Sequence, residues 1–501
     1  MQMKFWLPAF LVAFINTSCV HAHTSSLWGK SGEQWTAASR LPDFSHAGYR
    51  EGKTPIPDFP VRVSVKYFGA TGDGKTDDTQ AFLDAIASAP HGAVFIPAGR
   101  YVITQLLKID KSQLVLRGEG CDKTILYFPK SLTDVVGEGK THAPGNSWSW
   151  SGGFITFEGW DVGEKITSVT APARRGSSTL TVASATNLKK GQYIRVLLWN
   201  TNGTLGQHLN GGQKEAAKDL MDKKLIDFCS RIKSIHGHTV TLERPLRTDI
   251  RLEWKPLIYA HSPSVEDVGI EDVTLEFPAI PYSGHHVEPG FNAIEFSGLS
   301  YGWARRLKIV NADSGIFLRT ETKFCTVDDI EFVASPARLR KGYGSDSGEP
   351  QTLMVGGHHG VAATGFAQDN MIRNFHMNFR FIHDLSVASM AAGNVFVHGQ
   401  GVDMSLDHHR KAPFENLFSD LEAGEGSRLW ESGGDEADGP HSGARETFWN
   451  IRSRHAQKLP DWALEGNFVG VLSGVARQND PNGNWIDPIA PGRIVPASLV
   501  K

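Results

Sequence analysis

Apolar and polar residues alternate in short runs along the first part of this chain, and glycine-rich or polar turns separate the runs. The run from Val61 to Phe68 shows this alternation. It returns in the stretches 93–96, 101–103, 114–116, 125–128 and 154–157. A period of two residues is typical of β-strands that bury one face, so the pattern predicts a series of short strands.

One early segment has helical spacing instead. Ala81, Phe82, Ala85 and Ile86 fall on one face of a helix with 3.6 residues per turn. Asp77 is the predicted N-cap, with a glutamine three residues on reaching back to it in a capping box. An amphipathic helix in front of a row of strands is typical of the cap that covers the open end of a solenoid.

A repeat of one polar residue followed by apolar, variable and apolar positions runs through the second half of the chain. It begins at Asp272, Arg306, Asp329, Asn374, Asn394, Asn416 and Asn450. The apolar positions recur after 23 residues between Leu307 and Ile330 and after 22 between Val395 and Leu417. That is the period of one solenoid coil, whereas a propeller blade needs about 40 to 50 residues. Asparagines at these positions are expected to stack at the corners of successive coils.

These patterns predict an all-β protein, a right-handed single-stranded parallel β-helix with an N-terminal capping helix and a small β-rich insert. The expected division is a signal peptide at 1–22, an N-terminal arm at 23–60, the first coils and cap at 61–164, an inserted β-rich subdomain at 165–258, the main β-helix with a catalytic groove at 259–475 and a C-terminal tail at 476–501. Trp28, Trp35, Phe44 and Tyr49 are the expected anchors of the arm.

The first 22 residues have the form of an export signal. Lys4 precedes an apolar run from Phe5 to Ile15, and Val20-His21-Ala22 offers a cleavage site with small residues at its ends. The sequence therefore predicts a secreted or periplasmic protein. A lipoprotein anchored at Cys19 is a minor alternative, because Asn16 stands where a large aliphatic residue is expected.

Charge and composition exclude several classes of binding partner and of protein. The 501 residues carry a formal net charge of −3, so no global basic field exists to bind nucleic acid. No later run of eighteen apolar residues predicts a membrane span. Cys121, Cys229 and Cys325 allow one disulfide at most, which excludes a disulfide scaffold. The expected partner is an anionic polysaccharide or oligosaccharide.

The stretch from Val65 to Ile103 resembles the pectate-lyase-like superfamily of β-helix proteins, which includes rhamnogalacturonase. The residues that carry the likeness are Phe68-Gly69-Ala70, Gly72-Asp73-Gly74-Lys75-Thr76-Asp77-Asp78-Thr79 and Ala93-Val94-Phe95-Ile96-Pro97-Ala98-Gly99-Arg100-Tyr101. The resemblance implies the fold and a role directed at carbohydrate. Gly357-His358-His359-Gly360 only approximates the Gly-His-Gly motif of the polygalacturonases in that superfamily, so their mechanism is not transferred.

Histidine is concentrated in one segment. Residues 358 to 411 hold seven of the 20 histidines, together with several arginines and aspartates, and the coil period would stack them on neighbouring rungs. The predicted catalytic residues are His359, His383, His408 and His409 as bases or acids, and Arg380 and Arg410 as the grip on a uronate carboxylate. The predicted substrate-binding residues are His358, Asp384, Asp403, Asp407, Lys411, Arg428 and Trp430.

The segment favours eliminative cleavage of an acidic polysaccharide, which needs a base, an acid and a cationic group for the carboxylate. The trough is expected to be cationic whenever some histidines are protonated. A glycoside hydrolase with an Asp/Glu pair, such as Asp403 with Asp407, is the alternative, and a non-catalytic carbohydrate-binding β-helix is a second. No cofactor is certain, and a divalent cation such as calcium is an open expectation. His285-His286 with Glu288 could form a rim.

Overall fold

The computed structural model of the chain describes residues 23–139, 147–212, 220–341, 354–472, 480 and 482–500. The predicted signal peptide and Cys19 lie outside these ranges, so export stays a prediction. Within the described ranges, no helix is both long and apolar enough to cross a membrane.

Three sheets are formed by the described residues, and two of them build the β-helix. Sheet A contains sixteen strands: β1 (Val61–Ser64), β2 (Asp73–Asp77), β3 (Gly92–Ile96), β4 (Gly99–Val102), β6 (Leu114–Gly118), β7 (Thr124–Tyr127), β15 (Gly269–Glu276), β17 (Trp303–Val310), β19 (Thr326–Val333), β22 (Met371–Met377), β24 (Val395–Val397), β25 (Gln400–Gly401), β27 (Leu417–Glu422), β28 (Thr447–Arg452), β29 (Asn467–Val469) and β30 (Trp485–Asp487).

Sheet B contains eight strands: β5 (Leu107–Ile109), β8 (Ile155–Glu158), β16 (Asn292–Ser297), β18 (Ser314–Arg319), β20 (Arg340–Lys341), β21 (Met354–Ala363), β23 (Arg380–Val387) and β26 (Leu406–His408). The third sheet is antiparallel: β9 (Lys165–Ser168), β10 (Thr179–Thr181), β11 (Tyr193–Trp199), β12 (Lys224–His236), β13 (Thr239–Leu242) and β14 (Leu257–Ala260).

Parallel pairing between successive coils confirms the β-helix. In sheet A, Leu307 pairs with Ile330, and Ile330 with Phe375. In sheet B, β18, β21, β23 and β26 follow one another in the same parallel order. The inward side chains of both sheets form one continuous apolar core from Val65 to Ile486. Burial of this core is the main stabilising contribution to the solenoid.

Two different corners account for the polar repeat. Asp272, Arg306, Asp329, Asn374, His398, Asp420 and Asn450 all have positive φ, between 52° and 61°. This corner bends sheet A once per coil. At the other corner the Asn370 amide donates to Asn394 Oδ1 and the Asn394 amide to Asn416 Oδ1, both at 2.9 Å. The Asn416 amide then donates to Glu446 Oε1 at 2.9 Å. The expected stacking of asparagines is confirmed at this second corner.

The capping helix is present as α1 (Thr79–Ser88), and its buried face joins the core at Phe82 and Ile86. Its predicted capping box is wrong. Asp78, the residue at the cap position, instead accepts hydrogen bonds from Thr71 N and Gly72 N, and the Gln80 amide donates to Asp84. Asp78 thus closes the glycine turn before the helix, whereas Asp77, the predicted N-cap, accepts a hydrogen bond of 3.0 Å from Thr79 N at the start of the helix.

Two further short helices, α2 (Leu132–Val136) and α3 (Thr204–Leu209), lie in the connections. Single 3₁₀ turns occur at Val65–Phe68, Ser147–Ser149, Leu252–Trp254 and Glu436–Asp438, and Tyr49–Gly52 forms a tight turn with positive φ at Arg50 and Glu51. The arm before the first strand packs along sheet A, where Trp28, Trp35, Phe44 and Tyr49 contact apolar strand residues. The boundaries expected for arm, insert and tail stay predictions.

The antiparallel sheet is attached to the β-helix by a buried set of charges, which we name the arginine clamp: Arg244 and Arg247 with Asp369 and Glu415. Arg244 donates two hydrogen bonds to Asp369, of 2.8 and 3.0 Å, and Arg247 Nη2 donates a third of 2.8 Å. Arg247 Nε lies 3.3 Å from Glu415 Oε2. Each buried charge of the clamp therefore faces an opposite charge.

Candidate functional site

Three neighbouring strands of sheet B carry the predicted histidines. His358 and His359 lie in β21, His383 lies opposite His359 in β23, and His409 directly follows β26. Parallel strands are about 4.8 Å apart, and the ring centroids of His359 and His383 are 5.1 Å apart. The rung spacing thus brings together rings that are 24 residues apart in sequence.

Six imidazoles form one continuous group, the histidine cluster: His285, His286, His358, His359, His383 and His409. His383 lies at its centre, with centroid distances of 5.3 Å to His358, 5.0 Å to His409 and 6.1 Å to His285. The rings of His358 and His359 are stacked at 4.2 Å. Of the seven histidines of residues 358 to 411, four meet here, whereas His376 and His398 lie along sheet A and His408 is buried in the core.

The cluster opens to solvent at three rings, of which His285 is partly exposed. His286 is exposed, and the His409 side chain is 35% exposed, whereas His383 is buried with 3% exposure. Neither ring nitrogen of His383 makes a hydrogen bond to any described residue. Buried polar groups in proteins are ordinarily hydrogen-bonded, so His383 is an exception that calls for a ligand or a chemical role.

Asp407 holds one side of the cluster together. Its Oδ2 accepts a hydrogen bond from Ser386 Oγ at 2.8 Å and lies 3.1 Å from His409 Nδ1 and 3.5 Å from His383 Nδ1. Its Oδ1 accepts from Gly433 N at 2.8 Å. Burial alone raises the pKa of Asp407, but His409 and these hydrogen bonds outweigh it and hold that pKa below the ordinary value. Asp407, predicted to bind substrate, instead orients two imidazoles.

Glu288 has the same function on the other side. Its carboxylate accepts hydrogen bonds from Tyr282 Oη and Ser149 Oγ, and its Oε1 lies 3.1 Å from His358 Nδ1. All four side chains are buried. The loop between β15 and β16, expected only as a rim, thus supplies both a carboxylate and the two imidazoles of His285 and His286.

The expected cationic trough is not what this geometry produces. Burial, and then the neighbouring histidines, lower the pKa values of His358, His359 and His383 well below the ordinary imidazole value. These three rings are therefore neutral near pH 7. A neutral imidazole can accept a proton or bind a metal, and it supplies no positive charge for a carboxylate.

Two groups of three side chains place potential metal-ligating atoms within 4.8 Å of one another: His285, His286 and His358, and His383, Asp407 and His409. Calcium prefers six to eight oxygen ligands, and these groups consist mostly of imidazole nitrogen. Among the described residues the cluster therefore suits a metal of the zinc type better than the expected calcium.

His408 was predicted to be catalytic, and its position contradicts this. Its ring is fully buried on the inward side of β26, 4.5 Å from the Trp462 ring and 5.5 Å from the Phe418 ring. Its Nδ1 lies 2.9 Å from the Leu406 carbonyl oxygen. Adjacent strand residues point to opposite faces, so His408 faces the apolar core while Asp407 faces the cluster.

Four of the predicted site residues form two ion pairs with one another in a coil corner next to the cluster. Arg428 donates to the carbonyl oxygens of Phe381 and Ile382, both at 2.7 Å, and pairs with Asp384. Arg380 lies 3.0 Å from Asp403 Oδ2. Asp384, Asp403 and Arg428 thus bind protein groups rather than substrate, because the corner would otherwise leave its carbonyls and charges unpaired.

The other predicted residues lie around the adjoining loop. Arg410 donates to the carbonyl oxygens of Gly434 and Gly439, so its guanidinium is engaged by the backbone. Lys411 Nζ lies 3.0 Å from Asp438 Oδ1. Trp430 donates to the Lys458 carbonyl oxygen and packs edge-on against Phe448. The roles predicted for these residues in substrate contact stay predictions.

Ser386 and Gly433 have functions that sequence reasoning missed. A Cβ at Gly433 would lie 2.6 Å from His409 Cε1 and 2.9 Å from His383 Cε1, so only glycine lets this loop cover both rings. Ser386 pairs in register with Asp407 on the next rung. Register across coils was the signal that could have identified Ser386.

Comparison with known proteins identifies relatives of part of the chain. Residues 62–192 match the family described as "Rhamnogalacturonase A/epimerase, pectate lyase-like", which confirms the resemblance seen in the sequence. The chain is 43% identical over 134 residues to the "Pre-neck appendage protein" of Bacillus phage B103, covering 24% of this chain and 15% of that protein. It is 38% identical over 104 residues to "Alginate lyase 7" of Azotobacter vinelandii, covering 17% and 12%. This chain thus spans less than a fifth of either relative.

Among solved structures, the tailspike protein gp49 of Pseudomonas phage LKA1 aligns with 78% of this chain and 64% of its own, at 14% identity and a TM-score of 0.42.

Proposed function

We propose that this chain, whose residues 62–192 match a pectate-lyase-like family, is an enzyme that cleaves a uronic-acid-containing polysaccharide or oligosaccharide by β-elimination. The observation that carries the proposal is the histidine cluster, six imidazoles in mutual contact that open to solvent at His286 and His409. Alginate lyase 7 among the relatives supports the same substrate class.

The cluster matches what elimination requires of a protein. A base removes the proton beside the uronate carboxylate, and an acid protonates the oxygen that leaves. Histidine is the side chain most often used for both steps. His286 and His409 are the rings that an incoming sugar chain meets first. Asp407 orients His409, and Glu288 orients His358 behind them.

A glycoside hydrolase is favoured less, because it needs two carboxyl groups that face the substrate. The carboxylates of Asp384 and Asp403 are engaged by arginines below the cluster. Asp407 and Glu288 are buried, each with at least two hydrogen bonds from protein groups. No described carboxylate pair of this region is therefore both exposed and unengaged.

The test incubates the full chain with a panel of uronic-acid polysaccharides and follows the ultraviolet absorbance of unsaturated uronate. We expect absorbance to rise with at least one of them and the rate to fall about 100-fold or more in His286→Ala. His376→Ala is the matched control, because His376 is an exposed histidine of sheet A in β22, and it should keep the wild-type rate.

Three outcomes would contradict the proposal. New reducing ends without absorbance would show a hydrolase, and binding without product would show a carbohydrate-binding module. Elimination that persists unchanged in both His286→Ala and His409→Ala would place the reaction outside the histidine cluster.

A further inference from the structure

The outer half of the histidine cluster has the composition of a metal centre with open coordination positions. We propose that His383, Asp407 and His409 bind one divalent transition metal ion of the zinc type. The proposal requires no particular substrate, so it stands independently of the elimination reaction.

The spacing of the donor atoms fits a single ion. Zinc binds imidazole nitrogen and carboxylate oxygen at about 2.0 to 2.2 Å, which places two tetrahedral ligands about 3.3 Å apart. Asp407 Oδ2 lies 3.1 Å from His409 Nδ1 and 3.5 Å from His383 Nδ1. Two histidines and one carboxylate leave at least one position open, as in catalytic rather than structural zinc sites.

The buried ring of His383 is the second, independent observation. It is only 3% exposed, and both of its nitrogens lack a hydrogen-bond partner among the described residues. Leaving a polar group buried and unpaired costs about 1 to 3 kcal/mol. A metal ion at Nδ1 would remove that cost on the side that faces Asp407.

The groups around the three proposed ligands hold these side chains in position. Ser386 Oγ and Gly433 N fix the carboxylate of Asp407 through one hydrogen bond to each oxygen. Ligating carboxylates in metalloproteins are ordinarily held in this way. Gly433 also lets the loop lie directly over both rings, while the 35% exposure of His409 leaves a path for the ion.

If the substrate is a uronate, which rests on the proposed function, the metal would neutralise the charge of the carboxylate. Arg380 and Arg410, which were expected to do this, are engaged by Asp403 and by backbone carbonyls. His285, His286 and His358 then remain for proton transfer on the opposite side.

The experiment measures metal binding without any substrate. The full chain is stripped with a chelator and titrated with Zn²⁺ by calorimetry, and a Co²⁺ titration follows the visible absorption of a four- or five-coordinate site. We expect one equivalent to bind, and we expect affinity to fall at least about 100-fold in His383→Phe and in Asp407→Asn.

The matched control is His398→Ala, because His398 Nε2 also lies 3.5 Å from an aspartate oxygen, that of Asp420, but on the exposed surface of sheet A. It should leave the tight site unchanged. Asp407→Asn keeps the shape of the side chain, and near-ultraviolet circular dichroism of each variant shows whether it is folded.

The proposal is overturned if the wild-type chain binds no equivalent of Zn²⁺ or Co²⁺, if it binds Ca²⁺ in their place, or if folded His383→Phe retains the affinity. Loss on His286→Ala with retention in Asp407→Asn would place the ion among His285, His286 and His358 and would equally reject this site. A chain that binds zinc but forms no unsaturated product would reject the elimination and leave the metal centre standing.

Discussion

The arginine clamp and the histidine cluster both bury ionisable side chains against the β-helix. The two regions differ in the partners that these side chains have. In the clamp, Asp369 receives three hydrogen bonds from two arginines. In the cluster, like groups are packed together, and the central ring has no hydrogen bond to a described residue. The carboxylates of the clamp thus receive several hydrogen bonds from arginines, whereas both nitrogens of the central imidazole of the cluster receive none from a described residue.

The largest effect is expected from Asp369→Asn in the clamp. The substitution keeps the shape and tolerates the positive φ of 53°, but it leaves Arg244 and Arg247 without their shared counter-ion. We expect the free energy of unfolding to fall by about 3 to 5 kcal/mol, measured by urea denaturation.

The control for this change is Asp328→Asn, because the ion pair of Asp328 with Arg373 is partly exposed. It should cost less than about 1 kcal/mol. Equal losses in both variants would show that burial does not distinguish the two pairs.

The second prediction concerns the loss of folding stability at low pH. Burial alone raises the pKa of Asp369 and of Glu415, but the arginines around them outweigh it and depress both values: Arg244 and Arg247 at Asp369, and Arg175, Arg445 and Arg247 at Glu415. Groups with depressed pKa stabilise the fold above their unfolded pKa of about 4, and that stability is lost as pH falls toward the folded value.

The urea midpoint should therefore stay level from pH 7 to about 5 and fall steeply below about 4. Asp369→Asn should make that fall less steep, since one of the two clamp carboxyls with a depressed pKa is gone. If the variant has the same pH dependence as the wild type, Asp369 does not contribute to the loss of stability in acid.

Gly433→Ala tests the opposite region with a smaller expected effect. The new Cβ meets both His383 and His409, so the loop must lift, and we expect a loss of about 1 to 3 kcal/mol together with loss of zinc affinity. Gly401→Ala is the control, because the nearest atoms to its Cβ all belong to Met404, with the flexible methyl at 3.0 Å and Cβ at 3.4 Å. Unchanged zinc affinity in Gly433→Ala would contradict the close cover of the rings.

The smallest effect is expected at His408. His408→Phe retains the aromatic packing beside Trp462 and loses the contacts of the ring to the Leu406 carbonyl and to Glu446 Oε2, 3.5 Å from Nε2, so we expect a loss of about 1 kcal/mol and unchanged zinc binding. Isothermal titration and urea denaturation measure the two quantities. Loss of metal or of catalytic rate in a folded His408→Phe protein would restore the role first predicted for it.

The solenoid could be predicted from the sequence because the length of one coil appears as a regular spacing of apolar residues along the chain. The repeat nevertheless merged two corners: Asn374 and Asn450 bend sheet A with positive φ, whereas Asn394 and Asn416 stack at the other corner. A spacing pattern gives the length of a coil and does not say which corner a polar residue occupies.

Only some residues of the histidine cluster could be predicted from the sequence, because spacing along the chain does not say where in a coil a residue lies. The concentration of histidines pointed to His359, His383 and His409, but strand parity decides that Asp407 faces the cluster and His408 the core. Which residues align across coils depends on the lengths of the turns. Those lengths also determine that Arg428 reaches Asp384 in the corner instead of a substrate.

The amide stack at the second corner has a direction. Asn370, Asn394 and Asn416 each donate to the next residue, and the series ends at the Glu446 carboxylate, which accepts but cannot donate onward. A gene duplication that adds a coil before Glu446 can extend the stack with another asparagine. One that adds a coil after it must start a new series, so Glu446 marks where growth of this solenoid by repetition would be interrupted.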